Sequence, residues 1–109
     1  MGNKPWKKLE REGAKMIGGK RWPGNVGGPV DFESEHLCGQ AKLVQTMSLS
    51  ELTAHALAIE AEAARRGKRA VLLVKLRSGK GVETPELIIV TRKMFASLFP
   101  EMAKEVPVA

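Results

Sequence analysis

In "GGPVDFESEHLCGQAK", residues 27–42, an acid follows a glycine-proline turn and a Gln-x-Lys triplet follows the acid. Residues two apart on a strand share a face, so the Gln40 amide oxygen and the Lys42 ammonium are expected to point the same way. If Asp31 and Gln40 lie on the two strands of a hairpin, Asp31 reaches that face as well. Hard oxygen donors of this kind suit Mg²⁺ or Mn²⁺. A cation held by Asp31, Gln40 and the Ala41 carbonyl would keep positions for water and a phosphate oxygen, and would lower the pKa of the bound water. Lys42 would orient or activate that water, or neutralise developing charge. Hydrolysis of a phosphodiester is a chemistry that needs all of these parts. The spacing alone is a weak pattern. Its weight comes from the elements around it, from an acid upstream and from the basic charge of the chain.

The upstream acid is Glu10. Residues 4–17, "KPWKKLEREGAKMI", read as an amphipathic helix. Trp6, Leu9, Gly13, Met16 and Ile17 recur at three- and four-residue spacing on one face, and Lys4, Lys7, Lys8, Arg11 and Lys15 gather on the other. Pro5 suits the first turn and Gly18-Gly19 ends the helix. Glu10 points with the apolar face, where a carboxylate is costly to bury unless a cation meets it. "KRW" reads as a short strand and "PGNVGGP" as a loop. Two strands follow, at about 30–34 and 37–43. Ser48 and Glu51 make a capping-box signature before a helix that runs to about residue 66. Its inward stripe is Leu49, Leu52, Ala56, Ile59 and Ala63, and Leu57, Ala61 and Ala64 form a second stripe. "AVLLVKL" and "ELIIVT" are continuous apolar runs and read as strands buried on both faces. "RKMFASLF" reads as a closing helix, and the chain from Glu101 is expected to fray. The sum is one α/β domain over residues 1–109, with a central mixed sheet of about five strands flanked by helices.

Eighteen Lys and Arg against twelve Asp and Glu give a net charge of +6, which favours a polyanionic partner. No apolar run approaches the roughly 20 residues of a membrane span. The opening "MGNKPWKKLERE" lacks the apolar core of a secretory signal. A single cysteine, Cys38, cannot form an internal disulfide, so a cytoplasmic setting is the expectation. Cys38 is expected to be a small core residue and His36 a turn residue. The glycine-rich "GNVGGP" lacks the Lys-Ser/Thr pair and the helix that a nucleotide-binding P-loop needs.

Three segments carry a family resemblance. "WKKLEREGAKMIGGKRWPGNVGGPVD", "LCGQAK" and "SELTAHALAIEAEAARRGKRAVLLVK" resemble the PD-(D/E)xK nuclease superfamily, and within it the small Holliday junction resolvases of archaea and their phages. The first resembles their acidic helix, "GG-R" strand and loop before the motif Asp. The second matches the later half of the motif, and the third resembles their long helix and the strand after it. The resemblance covers about residues 6–95. It implies a restriction-endonuclease-like fold and a Mg²⁺-dependent endodeoxyribonuclease in which Mn²⁺ substitutes. Glu10 would be the helix acid, Asp31 the principal metal ligand, Gln40 with the Ala41 carbonyl the further ligands, and Lys42 the catalytic lysine. Lys8, Arg11, Lys15, Lys20, Arg21 and Asn25 would meet DNA phosphates. Trp22 is a core residue or a wedge at a base pair.

The departure is Gln40, where most relatives carry Glu, although Mrr-type restriction enzymes use Gln-x-Lys. The missing charge should weaken cation binding unless Glu33 or Glu35 compensates. The family and the second stripe of the long helix together suggest a homodimer that places paired nicks in a four-way DNA junction. A restriction- or repair-type nuclease and a catalytically silent DNA-structure-binding protein are the alternatives. The expected setting is the cytoplasm of a bacterial, archaeal or phage-infected cell.

Overall fold

The computed structural model describes residues 4–23, 27–77, 79 and 81–105, the last three by their backbone alone. The chain is an α/β domain with one five-stranded sheet and helices on both faces. In chain order the elements are α1 (Pro5–Met16), β1 (Lys20–Arg21), β2 (Phe32–Glu33), β3 (Leu37–Val44), α2 (Leu49–Arg65), β4 (Arg69–Leu76), β5 (Glu86–Ile89), α3 (Arg92–Leu98) and α4 (Pro100–Glu105). Spatial order follows chain order. Every neighbouring pair is antiparallel except β3 and β4, which are parallel and joined through α2.

Local chemistry sets the element ends. Ser48 Oγ accepts the Glu51 N–H, and the Glu51 carboxylate accepts the Ser48 N–H, so two free donors at the start of α2 are satisfied reciprocally. Thr91 caps α3 in the same way, through the Met94 N–H. α1 and α2 are each followed by a glycine in the left-handed region, Gly18 and Gly67, where a side chain would be strained.

Burial divides the core into two layers. Leu9, Ala14, Phe32, Val71 and Leu73 form the layer beneath α1, while Val30, Cys38, Ala56, Ile59, Ala63, Ala70, Leu72 and Val74 form the layer beneath α2. β4 feeds both by strict alternation, so its continuous apolar run is buried on both faces as the sequence predicts.

Four expectations need correction. Leu49, read into the inward stripe of the long helix, is 79% exposed at its first turn, and the buried residues of α2 are Ala56, Ile59 and Ala63. "ELIIVT" is not buried on both faces: β5 is an edge strand, and Leu87 and Ile88 are 46% and 52% exposed. The chain from residue 100 does not fray at once, because Pro100 starts a further short helix, α4, as a proline at the first helical position can. The buried face of α1 is Leu9, Glu10, Gly13 and Ala14, while Trp6 and Met16 are exposed. Gly13 explains this rotation. The Phe32 ring lies where a Gly13 Cβ would be, so the helix turns its narrowest side to the sheet.

Candidate active site

The site is built around the open edge of β3. β2 pairs with β3 for two residues only, Phe32 with Gly39 and Glu33 with Cys38. Immediately before β2 the main chain of Asp31 is pinned twice. Its N–H donates to the Gly39 carbonyl at 2.9 Å, and its carbonyl accepts the Trp22 N–H at 2.8 Å. The side chain then continues the ladder that the backbone has left, because Asp31 Oδ2 accepts the Ala41 N–H at 2.9 Å. In a strand the N–H and C=O of one residue point to the same side, so the Ala41 carbonyl faces this open edge too.

Alternation along β3 places the other residues. Leu37, Ala41 and Leu43 pack on the α1 side, and Cys38 and Val44 on the α2 side. Gln40 and Lys42 belong to the second set, paired in register with Leu72 and Val74. They share a face, as the triplet spacing predicts. Asp31 meets this strand at its open edge, through the Ala41 N–H and within reach of the Lys42 charge, and Glu10 and Arg21 act on it from α1 and β1. The four residues therefore gather around one strand edge.

Glu10 is only 8% exposed, and the cation that its burial demands is Arg21, whose Nε donates to Glu10 Oε1 at 2.7 Å. Burial first, and then the charge of Asp31, push the Glu10 carboxyl above its ordinary value, with Arg21 pulling the other way. Burial also pushes Asp31 up, against the Ala41 N–H and the charges of Lys42 and Arg21. Two acids are thus held close together in a place that favours their neutral forms. That is a standing attraction for a cation.

Gln40 adds a distinct observation. Its Nε2 donates to the Pro29 carbonyl at 3.2 Å, while its Oε1 is buried and has no hydrogen-bond partner. An orphaned buried oxygen costs on the order of 1–3 kcal/mol. By donor chemistry, a carboxylate oxygen of Asp31, the Gln40 amide oxygen and the Ala41 carbonyl, with Glu10 in the same neighbourhood, would suit a hard divalent cation. Among the described residues no three His, Cys, Asp or Glu side chains come together, so this set depends on its two neutral oxygens.

Glu33 and Glu35 do not supply the missing charge. The Glu33 carboxylate accepts from Trp22 Nε1 at 2.9 Å, Arg66 Nη1 at 2.6 Å and Lys68 Nζ at 2.6 Å, beside the α2-side core. Burial raises its pKa, but these donors outweigh burial and hold it below the ordinary value. Glu35 is exposed and pairs with His36 at 3.0 Å. The indole bond to Glu33 and the packing of Trp22 on the α2-side layer give that residue a core role. Cys38 is fully buried, and burial followed by the Glu33 charge pushes its thiol up to about 11.

Of the basic residues, Lys8, Lys15 and Lys20 are exposed and Arg11 is half-buried. Arg21, expected on a phosphate, is bonded to Glu10. Asn25 lies outside the described residues. A cleft of about 540 Å³ beside β1 and β2 is lined by Lys20, Arg21, Trp22, Glu33 and Lys68 among others. Sequence reasoning required a cation at Glu10 without naming it. The available signal was position, since Arg21 begins the first strand after the helix that carries the acid.

Gln40→Glu tests the donor set. A second carboxylate beside Asp31 raises Mn²⁺ affinity by about tenfold or more and lowers metal-free stability by about 1–3 kcal/mol. Mn²⁺ titration and urea unfolding in EDTA read the two effects.

Comparison with known proteins returned no match: no protein-family model fits the chain, and no curated protein or solved structure is similar to it.

Proposed function

We propose that this chain is a divalent-cation-dependent DNA endonuclease of the PD-(D/E)xK type, acting on four-way junctions as a homodimer. The observation that carries the reading is the buried, unpartnered Gln40 oxygen on the strand whose open edge the Asp31 carboxylate caps one residue further on, at Ala41. A cation bound there would polarise the scissile phosphate and acidify a water. Asp31, fixed through its own backbone and the Ala41 N–H, supplies an oriented carboxylate. Lys42 presents an ammonium on the Gln40 face, close enough for its charge to act on Asp31. Its part is to orient the attacking water or to neutralise charge at the phosphate.

DNA enters this reading through charge. Lys8, Lys15 and Lys20 are exposed on α1 and β1, the elements that also carry Glu10 and Arg21. They suit phosphate contacts that read shape rather than sequence. A four-way junction has two-fold symmetry and its resolution takes two nicks, which a symmetric pair of subunits delivers. Leu57 and its neighbours Ala61 and Ala64 are exposed along α2 and offer an uncharged surface to a second copy. No helix among the described residues is long and apolar enough to cross a membrane, and a cytoplasmic nuclease is the proposed setting.

A panel of labelled substrates in Mg²⁺ tests the substrate class. The expected result is cutting of the four-way junction at a rate at least about tenfold above flap and nicked duplex, a discrimination of about 1.4 kcal/mol. Equal rates on flap or nicked DNA would instead indicate a repair- or restriction-type nuclease.

A further inference from the structure

We infer that Arg21 is the resident counter-ion of the site, a cation that a divalent metal displaces from Glu10 and so frees for the substrate phosphate. The inference rests on the nuclease reading above, and its ground is the way the guanidinium is used. Nε donates to Glu10 Oε1 at 2.7 Å, and among the described residues neither Nη nitrogen has a protein acceptor. An arginine that serves only to anchor a carboxylate gains most from bidentate pairing. Here half of the fork is idle. The Arg21 side chain is 20% exposed against 11% for Glu10, so the arginine is the more open partner of the pair. The Trp6 ring lies 5.9 Å from the guanidinium carbon of the paired arginine, a contact that holds the guanidinium independently of the carboxylate.

Charge accounting then sets the direction. Glu10 and Asp31 share one neighbourhood, and Arg21 is the only cation bonded to either of them among the described residues. A divalent ion on Asp31 and Gln40 repels the nearby guanidinium and takes over the attraction for Glu10. Metal binding and the Arg21–Glu10 pair therefore compete. The released fork is planar, permanently charged and shaped for two phosphate oxygens. It lies on β1, whose next residue holds the Asp31 carbonyl, so it is delivered beside the acid and not at a distance. Metal loading and phosphate binding become coupled through one side chain.

Mn²⁺ titration of wild type, Arg21→Gln and Arg21→Lys tests this directly, with folding checked by circular dichroism. Arg21→Gln keeps a donor toward Glu10 but removes the charge. The expected result is Mn²⁺ binding about tenfold tighter in Arg21→Gln and near wild type in Arg21→Lys. Equal or weaker binding in Arg21→Gln makes Arg21 a strut for Glu10, which overturns the counter-ion role and leaves the nuclease reading standing. Absence of Mn²⁺ binding in wild type and in every variant overturns the nuclease reading and the counter-ion role with it. A second measurement needs no variant at Arg21: in wild type the Arg21 Nε–H resonance should move as Mg²⁺ saturates the site and stay fixed in Asp31→Asn. A resonance that does not respond to saturating Mg²⁺ also overturns the displacement.

Discussion

Lys42→Ala is expected to cut junction cleavage by about 10³-fold, within the range that a positioned acid–base or charged group supplies, without weakening Mn²⁺ binding. The split follows from position. Lys42 stands two residues beyond Gln40 on the same face of β3, and among the described residues its amine forms no ion pair or hydrogen bond. It holds nothing together, so its loss should spare the fold. It also donates nothing to a cation, and its charge acts on Asp31, so its loss should not weaken metal binding. Single-turnover cleavage with saturating enzyme separates the chemical step from binding. A parallel loss of Mn²⁺ affinity would assign Lys42 to building the site instead.

The second large effect concerns stability, and its sign is the reverse of the usual one for a carboxylate. Asp31 and Glu10 are both held above their ordinary values, chiefly by burial. A group with a raised folded-state pKa contributes stability that is fully present below its unfolded value and is lost as pH rises through the folded value. At neutral pH the ionised pair therefore weighs against the metal-free fold. Asp31→Asn removes that charge and keeps an oxygen to accept the Ala41 N–H. In EDTA the variant should gain on wild type as pH rises from 4 to 8, by on the order of 1 kcal/mol, or about 5 °C in Tm for a domain of this size. Saturating Mg²⁺ should reverse the order, adding about 2.7 kcal/mol to wild type at a hundredfold excess over Kd and nothing to the variant. Glu33 works in the opposite sense. Its lowered pKa gives stability present above the usual glutamate value and lost as pH falls through the folded one. Measuring the variant against wild type cancels that background. A difference between the two proteins that is flat with pH would contradict the strained-carboxylate account.

Most of the scaffold was legible in the residues because local and long-range signals agreed. Ser48 and Glu51 fix the start of α2, and the run around Leu72 is apolar on both faces because α1 and α2 cover it from opposite sides. β5 was misread because Leu87 and Ile88 look the same in sequence whether a helix covers them or not. Coverage is a property of the whole sheet. The chain from Glu101 was expected to fray because the weight of Pro100 as a helix opener was not taken up.

At the site, the shared face of Gln40 and Lys42 follows from the two-residue period of a strand, and β3 obeys it through eight paired residues. Glu33, two residues after Asp31, does not supply the charge that Gln40 lacks, because its carboxylate turns to Trp22, Arg66 and Lys68. Glu10 shows the other limit. Its burial announced that a cation must be present, but only the three-dimensional meeting of α1 with β1 names Arg21.

The most direct test is cleavage of an end-labelled immobile four-way junction in Mg²⁺ by wild type and Asp31→Asn, with linear duplex as control. The account predicts paired, symmetry-related nicks in the junction alone, absent in the variant and absent in EDTA. Tight junction binding by wild type with no cutting in Mg²⁺ or in Mn²⁺ would contradict it, and would make Gln40 the mark of a silent site on a protein that recognises DNA structure without acting on it.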